Sequence, residues 1–285
     1  MPEVIIRGVP INYRVIGDRG SWVAFTPGSR RGYEELIPLA QAIAEAGHRV
    51  LLHDRRNCGA SGVSIENTGS EHEIWADDLD ALCRSLGIER IYAGGSSAGA
   101  RLALLFALRH PDMVCGLLLW RVTGGRHAVE KLSHQYYTTY EELAREGGME
   151  AVCQSEHFAE CIEARPSNRD RLMDMKVEDF LATMAMWRSR FLSDADLPVV
   201  GATEEQLRAL AAPACIASGN DKTHTPETAR KVAGLIPNSE LHDDLVSKRG
   251  EGDLLETWDQ AEWKVAEPRL AAIFNQFLRV MDARG

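Results

Sequence analysis

In the first 120 residues, short apolar runs alternate with amphipathic stretches, and that alternation sets the expected elements. Residues 4–25 carry apolar runs broken at Gly8 and at Gly17-Asp18-Arg19-Gly20, which predicts an opening antiparallel pair. A third strand, Trp22-Val23-Ala24-Phe25, runs into a glycine loop. A helix is expected over 34–46, with Leu36, Leu39, Ala40 and Ile43 at helical spacing and Gly47 as its stop. The strand Arg49-Val50-Leu51-Leu52 then ends at Asp54. There follow a helix over 71–86, a strand at Ile91-Tyr92-Ala93, a helix over 101–108 and a strand over 115–120. Such repetition predicts an α/β fold: a mainly parallel sheet covered by helices on both faces, with functional groups in loops at the carboxyl ends of the strands.

Beyond Thr123-Gly124-Gly125 the pattern changes. Residues 127–195 read as helical throughout, rich in Met and aromatic residues, with no strand-like run and with breaks at Gly147-Gly148 and Pro166. Alternation resumes with a strand over 213–218, a helix over 226–236, a strand at Glu240-Leu241-His242 and a closing helix over 268–281. The expected division is a core over 1–125, an inserted helical cap over 126–205, and the rest of the core over 206–285.

Composition narrows the class. At 285 residues and 45% hydrophobic content the chain can bury one large core with a lid. A net charge of -10 argues against nucleic acid or an anionic membrane as the partner. The longest apolar runs, such as 113–120, are strand-sized, and residues 1–7 lack a signal-like pattern, so a cytoplasmic location is expected. Oligomeric state stays open, with a homodimer allowed. The six Cys show no C-x-x-C spacing and read as reduced, small hydrophobic residues. Neither a phosphate-cradling glycine fingerprint nor a zinc-ligand spacing occurs, so no cofactor and no metal are expected.

The chemistry concentrates in Gly95-x-Ser97-x-Gly99, between the strand at 91–93 and the helix that follows. A sharp strand–helix turn of this kind needs small residues two positions either side of the Ser, whose hydroxyl then stands clear at the edge of the sheet as a nucleophile. Such a Ser needs a base, and the nine His are 48, 53, 72, 110, 127, 134, 157, 224 and 242. None follows His242.

Over nearly all its length the chain resembles the α/β-hydrolase fold family, in a lid-bearing form that lacks the usual C-terminal catalytic His. The matching motifs are Thr26-Pro27-Gly28-Ser29 at the family's His-Gly loop, Asp54-Arg55-Arg56-Asn57-Cys58-Gly59-Ala60-Ser61, the elbow at Ser97, and Gly219-Asn220-Asp221. The resemblance implies Asp221 as the acid and the backbone N–H groups of Ser29 and Ala98 as oxyanion donors. Pro27 replaces the family's usual His without removing either donor. Where the family carries its base, residues 243–253 hold no imidazole. His224, three residues after Asp221, is the expected base, with His242 at the end of the last strand and no imidazole at all as the alternatives.

Arg30, Arg31, Arg55, Arg56, Arg121 and Arg126 gather at the expected mouth and suit a carboxylate-bearing substrate. Gly28, Arg30, Arg121, Trp120, Tyr137 and Trp187 are the expected substrate-binding residues, with Tyr136 beside them in an enclosed, mostly apolar pocket under the cap. The reading is a serine hydrolase acting on a small ester, lactone or related carbonyl compound through an acyl-enzyme. Its rivals are a lyase or cofactor-free oxygenase on the same fold and a ligand-binding protein that has lost its His.

Overall fold

Strands β1 (Glu3–Ile6) and β2 (Val9–Ile16) form the antiparallel pair, joined by Arg7 and Gly8, both at positive φ as a tight hairpin turn requires. The structure, a computed structural model, describes residues 2–284 apart from the Glu251 side chain. β2 pairs antiparallel with β4 (Arg49–His53). From β4 onward β3 (Trp22–Thr26), β5 (Ile91–Ser96), β6 (Val114–Trp120), β7 (Ala214–Ala217) and β8 (Ser239–His242) are all parallel, in the order β1-β2-β4-β3-β5-β6-β7-β8.

Successive strand residues face opposite sides of the sheet, and that alternation divides the core. Phe25, Leu52, Leu118 and Trp120 face α1 (Ile37–Glu45) and, near the C-terminus, a long helix over Gln260–Asp282. Ala24, Leu51, Leu117 and Leu119 face α2 (Glu71–Ser85) and α3 (Ala98–Arg109). A capping box between Ser70 and Glu73 opens α2. Helix α3 starts at Ala98, directly after Ser97, three residues before the expected boundary.

Between β6 and β7 lie α4 (Arg126–Ser133), a π-helical turn (His134–Thr138), α5 (Thr139–Cys153), α6 (Glu156–Ala164), α7 (Ser167–Met173) and α8 (Val177–Ser193). Gly147 and Gly148 break the helical geometry of α5, as their sequence position predicts. The helices share their own apolar cluster, which also takes in Val63 and Ile65 after β4 and Ile74 of α2. Buried Asn168 ties the insertion to the post-β4 loop, accepting from the Val63 N–H at 2.9 Å and donating to the Ser61 carbonyl at 3.1 Å. Among the described residues, no helix is long and apolar enough to cross a membrane.

Helices α9 (Glu204–Arg208) and α10 (Pro226–Leu235) flank β7, and α11 (Gln260–Asp282) closes the chain. The expected start of α11 at Pro268 is corrected by eight residues. Asp259 caps the helix by accepting from the N–H groups of Ala261 and Glu262, and Pro268 lies inside it. Burial of Trp263 and Ala266 outweighs the hydrogen bond the proline ring removes.

Candidate active site

Ser97 sits between β5 and α3 at φ 53°, ψ -109°. That region costs a residue with a side chain on the order of 1–3 kcal/mol. Its flanking glycines are sterically required: a Cβ on Gly95 would lie 2.6 Å from the Thr26 carbonyl oxygen, and one on Gly99 2.0 Å from the same atom. The Ser97 N–H donates to the Trp120 carbonyl at 3.2 Å, which fixes the bend against β6.

The Ser97 Oγ is 2.9 Å from His224 Nε2, and His224 Nδ1 is 2.8 Å and 3.0 Å from the two carboxylate oxygens of Asp221. All three residues are buried. Asp221 Oδ1 also accepts from the N–H groups of Thr223 at 2.9 Å and His224 at 3.1 Å. Burial pushes the Asp221 pKa up, but the hydrogen bond and charge of His224 and those two N–H groups outweigh it, leaving the carboxyl below its ordinary value. Burial lowers the His224 pKa, opposed by Asp221 and reinforced by the charges of Arg121 and Arg101, so the imidazole is held in its neutral form. A neutral imidazole with Nδ1–H donated to Asp221 leaves Nε2 free to accept from Ser97. His242 is remote from this arrangement: its Nε2 lies 3.3 Å from Glu240 on β8.

A Cβ built on Gly28 would stand 3.4 Å from Ser97 Cβ, so the loop after β3 lies against the nucleophile candidate. Ser29 has φ 46°. Arg55 Nη2 donates to the carbonyls of Ser29 at 2.7 Å and Gly28 at 3.4 Å. In a planar trans peptide the N–H opposes the C=O, so the bond to the Gly28 carbonyl turns the Ser29 N–H away from Arg55. Ala98 begins α3 and carries one of the N–H groups that a helix start leaves unpaired.

The expected arginine cluster separates by partner. Arg31 pairs with Glu35, Arg56 with Asp78 and Arg126 with Asp196. Arg30 donates to Glu71 at 2.8 Å and lies 5.5 Å from the ring centroids of Tyr136, Tyr137 and Tyr140; Glu71 and the phenols overcome burial and push its pKa up. Tyr137 donates to Glu71 at 3.3 Å and Trp187 to the Gly69 carbonyl at 2.9 Å. Both line a cavity of about 330 Å³ with His72 and Phe191, and the carboxylates and guanidinium of Glu73, Asp194 and Arg190 make it less apolar than expected. Ser29, Arg30 and Tyr136 line another of about 530 Å³; Ser97 lines neither.

Two expected substrate-binding residues stand toward the α11 side of the sheet. Trp120 shares the face of Leu118, packing edge-on against Phe25 with ring centroids 5.8 Å apart, because strand alternation turns it toward α11. Arg121 donates to Ser96 Oγ at 2.9 Å and lies over Trp258 on the same side, where burial lowers its pKa to about 10.

Sequence reasoning missed two neighbours of Ser97. Thr123 Oγ1 is 3.3 Å from Ser97 Oγ, and its position in the Thr-Gly-Gly break after β6 was the available signal. Arg101, one turn into α3, is fully buried, and none of its three guanidinium nitrogens has a hydrogen-bond partner among the described residues. A charge amid apolar residues in a helix whose other charge, Arg109, stands at its far end was its signal.

Comparison with known proteins agrees with this architecture. The family described as alpha/beta hydrolase fold matches residues 26–119. The chain is 27% identical over 253 residues to a 2-hydroxy-6-oxononadienedioate/2-hydroxy-6-oxononatrienedioate hydrolase of Paraburkholderia phymatum, covering 87% of this chain and 81% of that one. It is 25% identical over 234 residues to a proline iminopeptidase of Lactobacillus delbrueckii subsp. bulgaricus, covering 75% and 77%. Among solved structures, the enol-lactonase from Burkholderia xenovorans superposes with a TM-score of 0.62 over 96% of this chain and 98% of that one, at 18% identity. With the eight-stranded sheet and its strand order, these matches show that the chain has the α/β-hydrolase fold and that the relatives it resembles are hydrolases.

Proposed function

We propose that the chain is a serine hydrolase that cleaves an ester, lactone or related carbonyl compound through an acyl-enzyme on Ser97. The observation that carries this reading is the continuous contact from Ser97 Oγ through His224 to Asp221, at 2.9 Å and 2.8 Å. His224 Nε2 takes the hydroxyl proton as Ser97 Oγ bonds to the carbonyl carbon. The oxygen of that carbonyl becomes an alkoxide held by the N–H groups of Ser29 and Ala98. Collapse of the adduct breaks the bond to the leaving oxygen, which takes the proton from His224. Water then attacks the acyl carbon, gives a proton to His224, and the acid leaves as Ser97 regains its hydrogen. Asp221 keeps the imidazole in the required tautomer throughout.

Helices α4–α8 serve as the cap in this reading, since Tyr136 and Tyr137 lie over Arg30 of the post-β3 loop and Phe191 over Arg101 of α3. The hydrolase names of the relatives support the reaction class.

The test is covalent labelling. An organophosphonate should mark Ser97 and stop turnover, and Ser97→Ala should abolish both with an unchanged circular dichroism spectrum. A folded wild-type protein that resists the label and turns over no ester would remove nucleophilic catalysis from consideration.

A further inference from the structure

Arg101 follows Ser97 by four residues, and its N–H donates to the Ser97 carbonyl at 3.1 Å. Side chains on a helix tilt toward its N-terminus, so this guanidinium is carried back toward the nucleophile. Its charge accordingly acts on His224. No carboxylate pairs with it among the described residues; Phe191 lies 5.3 Å away, and the Tyr136 and Tyr137 phenols only partly support its charge. Arg55, also buried and lying over the Trp75 ring, has no hydrogen-bond partner for Nε and Nη1 among the described residues, and its charge acts unfavourably on Arg101. The Tyr136 hydroxyl faces the Arg101 guanidinium and supports its charge, and no other group reaches it among the described residues. Glu71 pairs with neither: its Oε2 accepts from Arg30 and Tyr137, and its Oε1 has no hydrogen-bond partner among the described residues. Arg56 shows the ordinary solution for a buried guanidinium: its Nε and Nη2 donate to Asp78 at 2.5 Å and 2.8 Å.

We propose that Arg101 and Arg55, with the Tyr136 hydroxyl as a further donor, form a carboxylate subsite beside Ser97, so that the substrate is a short ester or lactone whose acyl part carries a carboxylate. Buried charges are tolerated where they are paired, and a guanidinium fork matches a carboxylate with two parallel hydrogen bonds. Arg101 lies about one helical turn beyond Ser97, so a short substrate can reach both. The substrate class rests on Ser97 being the nucleophile, while the subsite itself does not. Arg30, expected from sequence to take an anion, already has its charge balanced by Glu71 through Nη2, although its Nε and Nη1 have no hydrogen-bond partner among the described residues; Arg121, expected likewise, donates to Ser96 and lies over Trp258.

The experiment compares kcat/KM for monoethyl glutarate and for uncharged ethyl pentanoate, read by proton release. Wild type should favour the charged ester about tenfold to a hundredfold, the value of one charge-assisted hydrogen-bonded pair. Arg101→Met should bring that ratio toward one, mainly through KM, and Arg101→Lys should keep part of it. Equal kcat/KM for the two esters in wild type overturns the subsite and leaves the nucleophile untouched. If neither ester is cleaved, glutarate binding decides: a rise in melting temperature in wild type that Arg101→Met loses supports the subsite, and no rise in wild type overturns it. Organophosphonate labelling reports on Ser97 separately, so the failure of one reading is distinguishable from failure of the other.

Discussion

The loops after β7 and β8 divide the work unequally. The first holds Asp221 and His224 within four residues, both buried and bonded to each other. The second, over 243–253, holds no imidazole, and its Asp243 pairs with Lys248 and Arg230 at the surface. Yet the segment that follows β8 supports the first loop. The Leu255 N–H donates to the Asn220 carbonyl at 3.2 Å, and the Leu255 carbonyl accepts from the Lys222 N–H at 2.9 Å. Asn220 Nδ2 donates to the Ser247 carbonyl at 3.2 Å and to Glu262 at 2.9 Å. A base can therefore come from the acid's own loop, provided that loop is braced and its turn is tight. Gly219 permits the turn, since a Cβ there would lie 2.5 Å from the His224 carbonyl oxygen.

The largest break of this comparison is His224→Ala. Loss of the base should lower kcat about 10²–10⁴-fold, approaching the loss from Ser97→Ala, because members of one relay act as a unit. The wild-type pH profile sharpens the same point. Activity needs a neutral imidazole, and burial lowers the His224 pKa, so the rising limb of kcat/KM should lie below the ordinary His value of about 6.5. A His224→Ala enzyme that keeps full rate and the same limb would show that the acid loop supplies no base.

Asn220→Ala tests the bracing at smaller cost. It leaves Ser97, Asp221 and His224 chemically intact but removes the side-chain bonds to Ser247 and Glu262. Misplacement of a relay on the scale of an ångström costs on the order of 10²-fold, so a partial loosening should lower kcat roughly tenfold with KM little changed. Unchanged kcat would mean that the backbone bonds to Leu255 hold the loop without help.

Much of this was legible in the sequence because it is local. The elbow, the alternation of strands and helices, and the Asp221-to-His224 spacing are all short-range patterns, and local sterics or strand period dictate them. What was illegible depends on which face a side chain takes and on which partner reaches it across the fold. Trp120 and Arg121 looked like mouth residues at the end of a strand, but the sheet's alternation and the α11 aromatics drew them to the other side. The arginine cluster looked uniform until Asp78, Glu35 and Asp196, distant or unremarkable in sequence, claimed three members. Arg101 stands in sequence as a charge among apolar neighbours of α3, but its lack of a hydrogen-bond partner among the described residues is a property of the folded chain alone. Pro268 looked like a helix start because proline suits a first turn, whereas Asp259 caps the helix earlier.

The smallest expected effect belongs to His242→Gln, on the other side of the comparison. His242 ends β8, pairs in register with Ala217, and bonds with Glu240 while partly exposed. Gln keeps a hydrogen-bonding group of similar length at a half-exposed position, where substitutions typically change stability by no more than about 0.5 kcal/mol. Neither kcat nor the rising pH limb should move by more than about twofold, the rate equivalent of that energy. The measurement is a full pH profile of the variant beside wild type. If His242→Gln erased the limb while His224→Ala preserved it, the base would lie on the last strand after all, and the β8 loop would have kept the task that this structure assigns to its neighbour.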